Sequence, residues 1–520
     1  MYNLWEHYID YKPMYSKEYK NLILVLLVAF FFMVMLDMSI VTIAIPKIMS
    51  SLGVNLEDVD WVMIAYNVAT AIIIMPITFI VKRIGFKIPI MVIIILFTFS
   101  SMLCGFSTSI NMLIFFRVLQ GLSGGGIIPV GLALLAKVFD PKERGKAMGI
   151  WGIGAMAAPA IGPTLGGWIT DHLTWRWVFF VNAPVAIITL IGIVIIMEND
   201  FKTQFFKENF DFIGFILFSI AIAFLLITLN EGQNKDWNSE YIHICEIITS
   251  MGFLLFFLAE LFVSSPLIDF KIFKNYNFSL ISMINVVRAI ALFGSLFLIP
   301  VYLEDIMHYT PYMTGLIMMP QAIIVALTAP IAGRGADKYG SKLFIILGTI
   351  LTAISLFLYG NLSLQSNLFD IIYPSIIRGV GFGMLYSPIM STGLNAVKKE
   401  QIPQVSGLLP IIMRLSSGFG IAYFTNFLSI KQVYYLSKFG DRINNKSGAF
   451  LKTQSALNSS LHSMINPGIL ANLRINPSLA YIDNLVQMFA SIQSYDDVFI
   501  LAGIISLLGI IPALMLKKMY

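Results

Sequence analysis

Asp37, in the run LDMSIVTIAIP from Leu36 to Pro46, and Arg117, in RVLQGLSGGG from Arg117 to Gly126, each sit inside a long apolar stretch. A carboxylate surrounded by hydrocarbon ionises reluctantly, whereas a guanidinium beside it favours the ionised form, so such a pair is suited to binding and releasing a proton. Asp37 lies fifteen residues beyond Leu22, where the first apolar run begins, roughly 22 Å from the near surface if the run is helical. A helix entering from the opposite side near Ile110 puts Arg117 about 20 Å above that same surface in a ~30 Å core. The two depths agree. A static ion pair joining two helices has the same sequence signature, but intramembrane acids usually mark ion pathways. Gly121, Gly124, Gly125 and Gly126 are read as packing notches.

Three further arginines, Arg288, Arg378 and Arg414, also fall inside apolar runs, roughly 14 to 17 Å deep and near the midplane. No second-half acid is expected at that depth. Buried cations need backbone carbonyls, water or an anionic substrate as partners, so all three are substrate-binding candidates. Arg288, flanked by the small residues of RAIALFGS, is the sharpest. Glu246 is a weaker candidate, and Glu260, near a helix end, is expected to be solvated or capped. Trp175 and Trp177 beside Arg176 fit an interfacial anchor. Asp496 and Asp497 form an isolated pair at a helix mouth, and the histidines lack metal-site spacing. Neither GVGFG nor GLSGGG follows a strand, so no nucleotide loop, metal or other cofactor is implied. Cys104 and Cys245 suggest no disulfide framework.

The elements that must hold these residues follow from composition. The 520 residues are 58% hydrophobic and only 12% charged, with a mean hydropathy of +0.81. That profile fits an all-α polytopic membrane protein and leaves little chain for an extramembrane catalytic domain. Apolar runs predict helices near 22–46, 57–81, 86–105, 110–136, 145–169, 177–197, 212–229, 240–262, 278–303, 313–332, 343–360, 369–396, 405–429 and 498–516. Fourteen spans place both termini on one side. Of the 34 Lys and Arg, 21 fall on that side, including Lys82, Arg83, Lys142, Lys202, Lys207, Lys338 and Lys398. The short loops opposite hold only Lys47, Arg176 and Lys235, so the termini are expected to be cytoplasmic. The predicted divisions are a terminal segment 1–21, a six-helix half 22–197, a linker with two helices 198–277, a second half 278–516 with an external loop 430–497, and a tail 517–520. TFIVKRIGFK, with Lys82, Arg83 and Gly85, echoes GRGADKYGSK, with Gly333, Asp337, Lys338 and Gly340, each at a helix-to-loop junction. Duplicated halves are a mark of secondary transporters.

The run APAIGPTLGGW, Ala158 to Trp168, concentrates Gly162, Pro163, Gly166 and Gly167 in one half of a helix, which predicts a bent and closely packed segment. In order and spacing these motifs resemble the EmrB/QacA-type drug:proton antiporters, the fourteen-helix branch of the major facilitator superfamily, over nearly the whole chain. The most specific piece is APAIGPTLGGWITDHLTWRWVFFVNAP; GLIMMP, PIAGRGADKYG and RGVGFG look like second-half signatures. The resemblance implies two six-helix halves plus two linking helices, and proton-coupled export of amphipathic drugs or toxic compounds by alternating access. It assigns Asp37 and Arg117 to proton coupling, the four Gly/Pro positions to an antiporter signature, and the two echoed loops to a gate. The first loop departs from the common pattern, with Thr78 in place of Gly and Lys82 in place of Asp, so the carboxylate usual there is missing from the first half while Asp337 supplies it in the second. The implied partners are a small amphipathic substrate, protons and lipid, with a bacterial inner-membrane location. EmrB-type exporters add a periplasmic adaptor and an outer-membrane channel, whereas QacA-type exporters work alone. A nutrient symporter or uniporter shares the fold. A lipid-modifying membrane enzyme would need clustered acids or a His-centred site, which the sequence does not offer.

Overall fold

A computed structural model describes residues 15–198, 210–263, 265–363, 365–440, 452, 454–455 and 477–517. Lys202, Lys207 and most of the connection between the last two long helices lie outside them. Among the described residues every regular element is helical. The first half comprises α1 (Lys17–Leu52), α2 (Leu56–Ile84), α3 (Lys87–Gly105), α4 (Ile110–Gly124), α5 (Ile127–Val138), α6 (Arg144–His172), α7 (Trp177–Phe180) and α8 (Asn182–Ile196). Between the halves stand α9 (Phe212–Glu231) and α10 (Glu240–Phe262). The second half comprises α11 (Tyr276–Val301), α12 (Pro311–Tyr339), α13 (Ser341–Tyr359), α14 (Leu368–Asn395), α15 (Ile402–Gly440), α16 (Pro477–Leu508) and α17 (Ile510–Met515).

Local chemistry sets many of these boundaries. Ser16, Asn55, Ser109, Asp211, Ser239, Asn275 and Thr310 each accept a hydrogen bond from a first-turn N–H of the helix that follows. Gly53, Gly85 and Gly340 end their helices at positive φ, where a Cβ would be strained. Gly85 closes α2 and Gly340 closes α12, so the two echoed loops turn in the same way. Gly125 and Gly126 separate α4 from α5 within one span.

Among the described residues thirteen helices or consecutive helix pairs are long and apolar enough to cross a membrane. The fourteenth long helix is α6, 29 residues rich in glycine and alanine, which lower its apolarity. Large side chains such as Ile188, Ile195, Leu261 and Phe262 point outward, the reverse of a water-soluble fold.

One boundary differs from the sequence expectation. The segment read as an external loop, 430–497, is helical at both ends: α15 runs on to Gly440 and α16 starts at Pro477. Polar residues interrupt the apolar run there but pair across the two helices. Lys431 meets Asp497 at 2.7 Å, and the Tyr435 hydroxyl donates to Asp497 at 3.0 Å.

The halves are joined unevenly. One apolar core runs continuously through both, from Ile23 to Val34 in α1, through Trp151 in α6, to Phe382 to Leu394 in α14 and Ile402 to Ile411 in α15. Beyond the middle of the helices that core divides. Leu36 to Ile48 pack with Val59, Leu113 and Phe179 in the first half, while Leu298 to Ile306 pack with Tyr359, Phe424 and Phe499 in the second. The shared end is also the basic end, where a cavity of about 660 Å³ is lined by Lys17, Lys142, Lys146, Arg334 and Lys338 among others. Contact between halves runs chiefly along two seams, α6 with α12 and α2 with α15; α9 leans on both α2 and α15.

Candidate functional site

Asp37 and Arg117 meet, and both are fully buried. The Arg117 Nη1 donates to Asp37 Oδ2 at 2.6 Å, while Asp37 Oδ1 accepts from Gln120 Nε2 at 3.0 Å and from Asn182 Nδ2 at 2.7 Å. Three helices, α1, α4 and α8, therefore converge on one carboxylate. Arg117 also donates to Gln120 Oε1 at 2.8 Å and to the Val62 carbonyl at 3.3 Å, and its guanidinium lies 4.0 Å from the Tyr66 ring centre. Asn182 uses its second N–H on Ser101 Oγ at 3.0 Å. Every charge in the cluster is offset by hydrogen bonds, the condition under which a buried ion pair is tolerated. A proton arriving on Asp37 would cancel the charge that holds Arg117 and weaken the hydrogen bonds accepted from Gln120 and Asn182.

Gln120, Asn182 and Tyr66 were not singled out from the sequence. Gln120 had a signal, since it stands three residues after Arg117 and shares its helix face. Asn182 and Tyr66 are brought in from distant helices and carry none.

Gly162 and Gly166 of α6 allow close packing on α1. A Cβ on Gly162 would lie 2.5 Å from Ser39 Cβ, and one on Gly166 would lie 3.3 Å from Ile40 Cγ2, whereas Gly167 faces open space. Pro163 lies in the same helix.

The residues of the two echoed loops lie at the basic end. Asp337, at the end of α12, accepts from the Gly145 N–H at 2.9 Å and the Lys146 N–H at 3.0 Å, so a second-half carboxylate caps the first turn of a first-half helix. Gly333 meets Gly145 backbone to backbone; no Cβ fits at either position. Ser387 Oγ donates to the Gly145 carbonyl, and Arg144 Nη1 donates to Asn395 Oδ1 at 2.6 Å. Among the described residues the other seam has no counterpart to Asp337. There Thr78 satisfies its own hydroxyl on the Met75 carbonyl at 2.7 Å, and a Cβ on Gly407 opposite would come within 2.9 Å of its methyl. The Thr in place of Gly is thus matched by a glycine across the seam. Arg83 and Lys338 are exposed and Lys82 is partly buried.

The three second-half arginines do not converge. Arg378 donates to Gln321 Oε1 at 2.5 and 3.2 Å. Arg414 reaches across the α2–α15 seam to Asn67, at 2.7 Å from its Oδ1 and 2.9 Å from its carbonyl. Arg288 donates to Asn285 Oδ1 at 2.9 Å and to Met413 Sδ at 3.2 Å, leaving Nε and Nη1 without partners. Glu246 stands apart from this region: it is half-exposed on α10 and pairs with His243 at 3.2 Å. Glu260 is buried rather than solvated, accepting from the Leu267 and Ile268 N–H groups. Trp175 is likewise buried, against Phe179, while Trp177 remains exposed.

Two helical halves meeting along seams, with an acid–guanidinium pair buried inside one of them, define a secondary transporter. The chain belongs to the Major Facilitator Superfamily, whose sequence pattern matches residues 27–421. It is similar to the multidrug export protein EmrB of Haemophilus influenzae, 30% identical over 417 residues, which cover 79% of this chain and 81% of that one. It also resembles the fatty acid resistance protein FarB of Neisseria gonorrhoeae, 27% identical over 488 residues and 94% of each chain. Among solved structures, the human organic anion transporter MFSD10 (TETRAN) matches with a TM-score of 0.61 at 10% identity, over 94% of this chain and 99% of that one. That likeness is one of fold.

Proposed function

We propose that this chain exports amphipathic drugs or toxic compounds in exchange for protons, by alternating access between its two halves. The observation that carries the coupling is the fully buried Asp37 carboxylate, held by Arg117, Gln120 and Asn182. Protonation would loosen α4 and α8 from α1 together, which links proton binding to helix movement. Multidrug export by EmrB and fatty acid resistance through FarB support the direction of transport. Asp37 and Arg117 act as the coupling pair. The close α6 contacts of Gly162 and Gly166, and the gate formed by Gly333 and Asp337, serve the switch between states. Arg378 and Arg414, whose donors engage amide and carbonyl oxygens, hold helices together.

The basic end faces the cytoplasm of a bacterial inner membrane, with both termini on that side. An EmrB-like role would add a periplasmic adaptor and an outer-membrane channel, which co-purification from an envelope fraction would reveal. The coupling test is Asp37→Asn, which keeps size and hydrogen bonding but cannot release a proton. Proteoliposomes carrying this variant are expected to show no pH-gradient-driven transport, while the native chain does. Normal accumulation by the variant would remove Asp37 from the mechanism.

A further inference from the structure

Arg288 is a buried cation that the chain itself leaves unfinished. Its residue is only 5% exposed, yet Nε and Nη1 have no hydrogen-bond partner. One of its two acceptors is a thioether sulfur, which accepts weakly. The adjoining cavity is about 10 Å³, room for about one water, which can serve one edge of the guanidinium. Among the described residues no carboxylate pairs with Arg288, Arg378 or Arg414. Arg378 engages Gln321 through two nitrogens and leaves Nη1 without a partner, and Arg414 engages Asn67 through Nη2. Among the described residues Arg288 is the arginine with two fully buried nitrogens that lack a partner.

Its surroundings are those of an amphiphile site. The guanidinium carbon lies 5.6 Å from the Phe382 ring centre and 5.8 Å from that of Tyr386, with Met413 on a third side. Tyr386 in turn packs against α6 of the other half, where a Cβ on Gly152 would lie 2.7 Å from its Cδ1. The cover over this side is therefore the α6–α14 contact, part of the seam that alternating access must open.

We infer that Arg288, with Phe382, Tyr386 and Met413, binds the head of a monoanionic amphiphile, such as a medium-chain carboxylate, when α6 withdraws from α14. The inference rests on the export reading and adds a substrate class to it. A carboxylate completes the guanidinium through charge-assisted hydrogen bonds, and the ring faces and thioether receive the apolar chain. A cationic head of the same length would be repelled at close range in a medium of low dielectric.

The test is calorimetric binding of dodecanoate and of dodecyltrimethylammonium to the full chain in nanodiscs, with protein-free nanodiscs as blank. The native chain is expected to bind the anion more tightly than the cation. Arg288→Gln should weaken dodecanoate binding about tenfold or more and leave the cation unchanged or tighter, whereas Arg288→Lys should retain most of the anion affinity. Equal weakening of both probes by Arg288→Gln, or tighter native binding of the cation, overturns the inference. The native comparison decides even if Arg288→Gln does not fold. Export itself is read separately: if a pH gradient drives the cation through the native chain but not the Asp37→Asn variant, while the anion neither binds nor moves, only the substrate assignment falls.

Discussion

Asp37 accepts from three side chains, and removing each donor has a different expected consequence. Asn182 contributes a 2.7 Å hydrogen bond to a carboxylate with no access to water, and hydrogen bonds to charged groups contribute about 1.5–3 kcal/mol. Asn182→Ala should therefore lower the unfolding temperature of the purified protein and slow proton-driven transport without abolishing it. Unchanged melting and transport would show that Gln120 and Arg117 suffice. The acid and the arginine were legible because a charge inside an apolar run is rare and its depth can be counted along a helix. Asn182 and Tyr66 were not, because a polar residue on an apolar helix gives no sign of which distant helix it will face. Glu246 is the converse case: its place in an apolar run did not reveal that α10 packs chiefly on α9 and leaves this carboxylate half-exposed beside His243.

Helix spans were readable from apolar runs because lipid demands unbroken stretches of such residues, and each predicted span overlaps an observed helix. The extension of α15 and α16 escaped notice since polar residues that pair with each other do not look apolar. The contact between α6 and α12 was equally hidden, although its glycines were visible. A Cβ on Gly145 would press on the Gly333 carbonyl and would stand 2.5 Å from Asp337 Oδ1. Overpacking of this kind costs typically 1–3 kcal/mol, and here the cost falls only on the closed state. Gly145→Ala should shift the population toward opening at the basic end by roughly tenfold. The readout is maleimide labelling of a cysteine at Ala329, fully buried against Gly149, in a chain lacking Cys104 and Cys245. Labelling no faster than in the Gly145 protein would show that this contact does not govern closure.

The whole molecule is two halves with one core in common at the basic end and separate cores beyond the middle. The proposed orientation, drawn from charge asymmetry, puts the basic end in the cytoplasm. In intact cells a cysteine at Lys142 should therefore resist a membrane-impermeant maleimide, while one at Asn238, exposed between α9 and α10, should react. Reaction at both positions, or the reverse pattern, would contradict this orientation. The inserted pair has a further consequence. Since α9 touches α2 of one half and α15 of the other, it stands over one of the two lateral edges where the halves meet, and the α6–α12 edge has no such companion among the described helices. A body of twelve helices would present two equivalent slots to the bilayer; the added pair makes them unequal. A compound already dissolved among the lipid tails finds a helix standing in the doorway on one side and an unattended threshold on the other.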